Sequence, residues 1–585
     1  MGVSSIHSKS KDPQLSSSTG SHPAIRFKQV PIVPGPLSRL EEIRSHLLAD
    51  VVTKTVEEFN LDSLEVLLGE ALYNEKRRLK RSRGNLFTRS RFKRDRLLWN
   101  QIYGSLLKPA AEVDRKILLE KVIWHYAEEI GGHFSTPVYH FATRAVPWGF
   151  SWLLNAASVQ RFLPWGMTEA LQSRLHVLGE VSALQKLVKK GTILLVPTHQ
   201  SNIDSVLIGY VIYLMSLPPF AYGAGLNLFS NPVLSFFMSR LGSYTVDRQK
   251  HNSLYKCTLK NYSTRILEEG IHSIFFPGGG RSRSGALESK VKLGLLGTGL
   301  GAEIQGMQSG KLNRRVYVVP MVMSYHFVLE ASSLIEDYLA ESGKHRFIMM
   351  DDESWQPRKV LGFFWKLFSS KSTITVRIGK PLDIFGNFVD EEGNSMGPNG
   401  TRIDSAKWLT TCGELRREPQ RDCEYTKQLG DRLVDRFHKE NTVLTSHWVA
   451  FSFFETLRQK YPDFDLYRFL RLSLAQRSMP YSDFLESAEI YHRRLVDLEK
   501  DGKLFLSDEL STSSIESGVM DGVKQLGLFH DAAVVKVQDG VIWTEDMNLL
   551  YYYRNRLSGY GLSLISEIAP AQSFFGKHDH QGFLA

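Results

Sequence analysis

Cysteine is nearly absent: 585 residues contain three, Cys257, Cys412 and Cys423, and no two form a CxxC pair. That rules out a disulfide framework and a thiolate zinc site, and it fits a reducing compartment. A long hydrophobic run is missing as well. The nearest approach, residues 205–239, carries no charge, but Pro218-Pro219 and several Gly and Asn residues interrupt it. Its apolar part, Val206–Leu217, is shorter than the ~20 residues that cross a bilayer and reads as a buried helix. The N-terminus has no apolar segment of the signal-peptide kind. Gly2 is followed by Ile6 where myristoylation needs Ser or Thr. The densest His/Asp cluster, His578-Asp-His580, sits in what reads as a solvated tail, so no metal is expected. These absences predict a chain that is soluble or attached peripherally to a membrane.

What is present in excess is positive charge. A formal net charge of +10 points to anionic partners: phosphorylated substrates, acidic headgroups or nucleic acid. The charge is densest in Lys76-Arg-Arg-Leu-Lys-Arg-Ser-Arg and in Arg89-Ser-Arg-Phe-Lys-Arg-Asp-Arg96. Two readings fit this block. One is a solvated helix face; the other is a surface on anionic lipid, where each Lys or Arg is worth about 1 kcal/mol. No nucleic-acid module pattern accompanies it, so no nucleic-acid partner is expected. Residues 134–166 are rich in tryptophan, as in Val146-Pro-Trp-Gly-Phe-Ser-Trp and Phe162-Leu-Pro-Trp-Gly. They read equally as an interfacial anchor or as packing between domains.

Periodicity divides the chain. Residues 1–36 are Ser-, Lys- and Pro-rich and read as a disordered tail; 37–175 are helical by spacing. Residues 176–385 alternate short strands with helices. The strand candidates are Thr192–Thr198, Phe220–Gly223, Ser243–Val246, Ser273–Phe276, Val316–Met323 and Thr373–Ile378. A loop-rich insertion is expected over 386–425, helices again over 426–570, and a tail over 571–585. The predicted class is α/β: a mixed sheet flanked by helices, with helical regions on either side.

One stretch organises this pattern. The apolar run beginning at Ile193 ends in Pro197-Thr198, His199 follows, and Asp204 comes five residues later at the start of the apolar segment. A carboxylate bonded to one imidazole N–H fixes the tautomer and frees the other nitrogen to take a proton. The same spacing recurs at His7/Asp12 and His492/Asp497. The first lies in the Ser-rich tail and the second on a charged helical face; only His199 follows a strand. A second constellation, Phe275–Gly285, also follows a strand. Its three glycines, Gly278, Gly279 and Gly280, let backbone amides approach an anion, and Arg281 and Arg283 add planar donor forks. At a strand end the pattern favours a phosphate site over a surface turn.

His199-x4-Asp204, Leu241–Arg248, Phe275–Arg283 and Val319–Tyr325 resemble the four ordered blocks of the glycerolipid acyltransferases. Residues 218–227 and Tyr552-Tyr-Arg-Asn555 resemble, more narrowly, the bacterial membrane-bound glycerol-3-phosphate acyltransferases. That branch includes mitochondrial glycerol-3-phosphate and peroxisomal dihydroxyacetone-phosphate acyltransferases. The resemblance implies that His199, oriented by Asp204, acts as general base on a glycerol hydroxyl. The hydroxyl oxygen then attacks the thioester of acyl-CoA or acyl-carrier protein with no covalent enzyme intermediate. It implies a substrate-binding set of Arg248, Gly278, Gly279, Gly280, Arg281, Ser282, Arg283 and Pro320, with glycerol 3-phosphate as acceptor. No cofactor is implied beyond the acyl donor. The product is lysophosphatidic acid, and the expected place is the cytoplasmic face of a membrane, most simply a bacterial inner membrane. Two positions depart from the pattern: Gly278 replaces a glutamate, and Asp247 precedes Arg248 where a basic pair is usual. Alternatives are acylation of dihydroxyacetone phosphate or a lysophospholipid, or a non-catalytic lipid-binding role.

Overall fold

Short apolar runs, rich in Val, Ile and Leu at β2, β6 and β7, give seven strands. These are β1 (Leu175–Gly179), β2 (Gly191–Pro197), β3 (Ala221–Gly225), β4 (Ser243–Val246), β5 (Ser273–Ile274), β6 (Arg315–Tyr325) and β7 (Ile374–Ile378). In the computed structural model, which describes residues 35–59, 63–81, 89–108, 112–143, 174–226, 232–310, 315–342, 372–411 and 413–564, they form one sheet. Its order is β1-β7-β6-β2-β5-β3-β4. Strands β2 to β6 are mutually parallel, β7 is antiparallel to β6, and β1 is parallel to β7. The sheet is mixed, as expected, and the parallel strands bring their carboxyl ends to one edge. β2 and β6 are buried along almost their full length because helices cover both faces.

All six expected strands are present. The seventh, β1, begins one residue before the boundary expected at 176. It is five residues long at the sheet edge, too short and too mixed in character to stand out as a strand.

Ahead of the sheet lie, among others, α1 (Leu40–Glu57), α2 (Leu64–Arg81), α3 (Arg89–Leu106) and α4 (Glu112–Ile130). They share a core with Tyr244, Tyr255 and Tyr262 of the α/β region. The basic block splits where α2 ends. Arg77 and Lys80 are exposed, but Arg78 is buried between Glu75 and Asp95, at 2.7 Å from each. Lys76 lies 3.5 Å from the centre of the Tyr103 ring. The block is therefore neither a wholly solvated face nor a wholly free basic surface.

Within the sheet region lie α5 (Asp204–Leu214), α6 (Ser253–Glu268), α7 (Leu293–Gln308) and α8 (Ala331–Ser342). α5 is the uncharged segment, and it is buried on most sides as its composition predicts. Among the described residues no helix is long and apolar enough to cross a membrane.

The stretch 386–425 is more ordered than a loop. It holds a three-stranded sheet (Phe388–Val389, Ser395–Met396, Arg402–Ile403) and a hairpin (Thr410–Thr411 with Glu414–Leu415). Its Asp and Asn residues read as loop, but they form turns. Asp390 Oδ1 accepts from the Asn394 N–H at 2.7 Å, and just before the stretch Asp383 Oδ1 accepts from Phe385 and Asn387 at 2.9 Å. Beyond it run α9 (Pro419–Lys439), α10 (Thr445–Lys460) and α11 (Met547–Arg554). Trp448, Phe453 and Tyr552 belong to the same core as Val177, Leu195 and Met323. The C-terminal helices thus share the sheet's core. The tryptophans at 148, 152 and 165 and most of both tails lie outside the described residues.

Candidate active site

The carboxyl ends of β2, β5 and β6 are adjacent in the sheet, so the residues that follow them meet. After β2 the chain turns through His199 into α5, whose first residue is Asp204. A carboxylate there is favoured by the helix dipole, and this one is held on every side. Asp204 Oδ2 lies 2.9 Å from His199 Nδ1 and accepts the Gln200 and Ser201 N–H groups at 2.7 and 3.0 Å. Oδ1 accepts the Tyr325 hydroxyl, from the end of β6, at 2.6 Å. An ionised carboxylate only accepts, so Nδ1 carries the hydrogen and Nε2 is the acceptor. Asp204 is fully buried, whereas the His199 side chain keeps 11% exposure. The imidazole stacks on Phe276 with ring centres 3.8 Å apart and an interplanar angle of 13°.

The loop after β5 is tied to the histidine. The Ser282 N–H donates to the His199 carbonyl at 2.7 Å, and Ser282 Oγ donates to the Ala286 carbonyl at 2.6 Å. Gly279 takes φ +74°, the left-handed region glycine enters without strain. A Cβ on Gly280 would stand 3.5 Å from Arg248 Nη1, so Arg248 reaches the loop from β4. Arg281 lies 3.4 Å from the buried Glu330, which also accepts the Ser201 hydroxyl at 2.7 Å and the Asn202 N–H at 3.1 Å. Arg283 turns outward, pairs with Glu341 at 2.6 Å and is 41% exposed. Pro320 pairs with Val196 inside the sheet and packs against Gly379.

The structure therefore brings together His199, Asp204, Arg248, Gly278, Gly279, Gly280, Arg281 and Ser282. It leaves Arg283 at the rim and Pro320 in the strand.

Asp247 is occupied elsewhere. Its Oδ1 caps the turn by accepting the Gln249 N–H at 2.9 Å, and Oδ2 lies 3.8 Å from Arg78. It is a buried anchor that leaves Arg248 to extend alone.

Several residues here had no assigned role from sequence. Tyr325, Glu330 and Phe276 orient the His–Asp pair and the loop. Glu288 accepts the His199 N–H at 2.8 Å. The C-terminal region closes the back of the loop. Asn555 Nδ2 donates to the Ser284 carbonyl at 3.0 Å, and a Cβ on Gly285 would strike the Tyr552 carbonyl oxygen at 2.1 Å. Arg556 donates to the Met323 carbonyl at 2.7 Å, the Ser324 hydroxyl at 3.0 Å and Asn441 Oδ1 at 2.8 Å. Burial lowers its guanidinium to about 10. The Tyr552–Asn555 block carries a family resemblance in the sequence, but nothing in it places these residues against the loop.

Residues 179–324 match the family model described as Acyltransferase. A glycerol-3-phosphate acyltransferase of Pseudomonas fluorescens Pf0-1 is 26% identical over 328 residues, 55% of this chain and 36% of that protein. One from Ectopseudomonas mendocina is 26% identical over 419 residues, 68% of this chain and 45% of that protein. One from Pseudomonas aeruginosa PAO1 is 25% identical over 370 residues, 62% of this chain and 38% of that protein. The alignments thus span less than half the length of these relatives. The chain carries an acyltransferase domain at 179–324 and, over that domain and beyond it, is similar to glycerol-3-phosphate acyltransferases.

Proposed function

We propose that this chain acylates glycerol 3-phosphate from acyl-CoA or acyl-carrier protein, giving lysophosphatidic acid. The observation that carries the reading is the His199–Asp204 pair, at 2.9 Å, tied through Ser282 to a Gly-rich loop bearing Arg281. His199 Nε2 takes the proton of an acceptor hydroxyl as its oxygen attacks the thioester carbonyl. The tetrahedral intermediate collapses to the ester, and the expelled thiolate takes the proton back from the imidazolium. Asp204 stabilises the imidazolium while it exists. Arg281, Arg248 and the loop amides hold the phosphate and so place the hydroxyl, an effect that can supply much of the rate. The relatives' names support the acceptor. Exposed Arg77, Lys80, Lys93, Arg94 and Arg96 support peripheral attachment to anionic lipid, which suits a product that belongs in a membrane.

The test is acyl transfer by purified wild type and His199→Ala, with glycerol 3-phosphate or dihydroxyacetone phosphate, long-chain acyl-CoA or acyl-carrier protein, and anionic vesicles. Lysophosphatidic acid from wild type, with a rate at least about 10²-fold lower in the variant, is the expected result. Product from dihydroxyacetone phosphate alone would replace the acceptor. No product with any pair, from protein that still binds vesicles, would replace the enzyme with a lipid-binding protein.

A further inference from the structure

The loop lacks a carboxylate at Gly278, yet the space over Gly278 is filled. A Cβ built there would lie 3.0 Å from Glu288 Cγ and 3.4 Å from Glu288 Oε1. Gly278 is not among the glycines with positive φ, so its backbone would accept a side chain. Glu288 occupies the volume into which a residue 278 side chain would grow.

The chain arranges this through the turn after the loop. Gly285, at φ +83°, sits under Tyr552, and the Lys292 N–H donates to the Pro277 carbonyl at 2.7 Å. That bond folds residues 278–291 back on themselves and returns Glu288 to the loop's start. There Oε1 accepts the backbone N–H of His199 at 2.8 Å. Glu288 is only partly buried, unlike Asp204 and Glu330. Burial raises its carboxyl to about 7, against the pull of the His199 N–H, its own N–H and the charge of Arg556, with Asp204 pushing it up further. Arg556 Nη1 is buried with no hydrogen-bond partner.

We propose that Glu288 is the acceptor-binding carboxylate of this site, displaced along the chain into the space over Gly278, where it accepts a hydrogen bond from a glycerol hydroxyl while Arg281 and the loop amides hold the phosphate. The proposal rests on the acyltransferase reading above. A carboxylate suits that task because it accepts from hydroxyls more strongly than a neutral amide does. The competing explanation is a clamp on the His199 backbone, which a glutamine would serve as well.

Glu288→Gln separates the two. By calorimetry, wild type should prefer glycerol 3-phosphate to inorganic phosphate. Glu288→Gln should lose about tenfold of that preference, the size of one charge-assisted hydrogen bond. Its affinity for inorganic phosphate and its melting temperature should change little. Moving the carboxylate gives a second readout. Glu288→Ala should weaken glycerol 3-phosphate binding, Gly278→Glu/Glu288→Ala should recover it, and Gly278→Glu alone should bind poorly because two carboxylates collide. In turnover the same ranking should appear in KM for the acceptor and not in KM for the acyl donor. Wild-type affinity in Glu288→Gln, or a double variant no better than Glu288→Ala, overturns the proposal. So does a wild type that binds neither anion. A wild type that binds glycerol 3-phosphate but forms no ester overturns the proposed function instead, and the binding comparison still decides the role of Glu288.

Discussion

At the ends of β2, β5 and β6, His199, Asp204, Arg281 and Glu330 gather around an imidazole that stays accessible. At the end of β4, on the same edge, Asp247 joins Arg78, Glu75, Asp95, Glu129 and Lys250 in a cluster whose lysine side chain is fully buried. Both clusters set carboxylates against cationic groups, and both tie them with ion pairs and hydrogen bonds. In the second, Tyr126 donates to Glu75 at 3.2 Å and Asn252 donates to Tyr126 at 3.0 Å. Burial opposes ionisation of Asp95, but bonds from His125 and Arg78 and the charge of Lys250 outweigh it and hold its carboxyl far below the usual range. The difference is what lies above them. Helices α2–α4 supply and enclose the lateral cluster, while among the described residues a Gly-rich loop backed by Tyr552 and Asn555 lies over the central one. Charge at a strand end thus keeps a partly exposed group in the central cluster, His199, and is enclosed in the lateral one around Lys250.

Substitutions in the two clusters should separate along that line. Asp204→Asn keeps an acceptor oxygen for the Gln200 and Ser201 amides but removes the charge that supports an imidazolium. Single-turnover acyl transfer should slow by about 10³–10⁴-fold, with glycerol 3-phosphate affinity and the urea midpoint close to wild type. A rate within about tenfold would make Asp204 a helix cap and erase the distinction. Arg78→Ala should do the reverse. It strands Glu75, Asp95 and Asp247 in a sealed interior, and breaking a buried pair costs about 3–5 kcal/mol. That loss should appear in urea denaturation, while activity per folded molecule falls only as far as Arg248 is displaced. A destabilisation under about 1 kcal/mol would mean that water reaches the cluster, and the comparison would break.

How much of this was legible depends on chain distance. His199 and Asp204 are five residues apart behind an apolar run, and that strand, with the spacing, singles them out from the two other pairs of the same spacing. The Ser201–Glu330 and Met323–Arg556 contacts join residues 129 and 233 positions apart. Sheet order joins the first pair and the packing of the C-terminal helices on the sheet joins the second, and no local pattern encodes either. Glu288 is closer, but finding it required the return turn held by Lys292. In the basic block, Arg77 and Arg78 look alike. Helical phase separates them, because Arg78 falls on the side of Ala71, Glu75 and Leu79 while Arg77 faces out. Asp247 looked like a changed ligand because the helices that neutralise it lie more than a hundred residues earlier.

A third histidine sharpens the comparison from the opposite edge of the sheet. His272 precedes β5, its Nδ1 accepts the Ile193 N–H at 3.0 Å, and its ring packs 4.9 Å from that of Phe220. Burial lowers its imidazolium from 6.5 to about 4. As pH falls through 6.5 the unfolded chain takes this proton and the native chain refuses it. The stability His272 contributes is therefore complete above pH 6.5 and is lost on going down towards pH 4. His272→Asn places an amide oxygen where Nδ1 accepts, but it does not titrate. Between pH 7 and 4.5 wild type should lose about 2 kcal/mol more stability than the variant in urea titrations. Equal slopes would mean that the native chain admits a proton at His272. The Asp204 carboxylate would then no longer be what distinguishes a histidine that can carry a proton from one that is only packed.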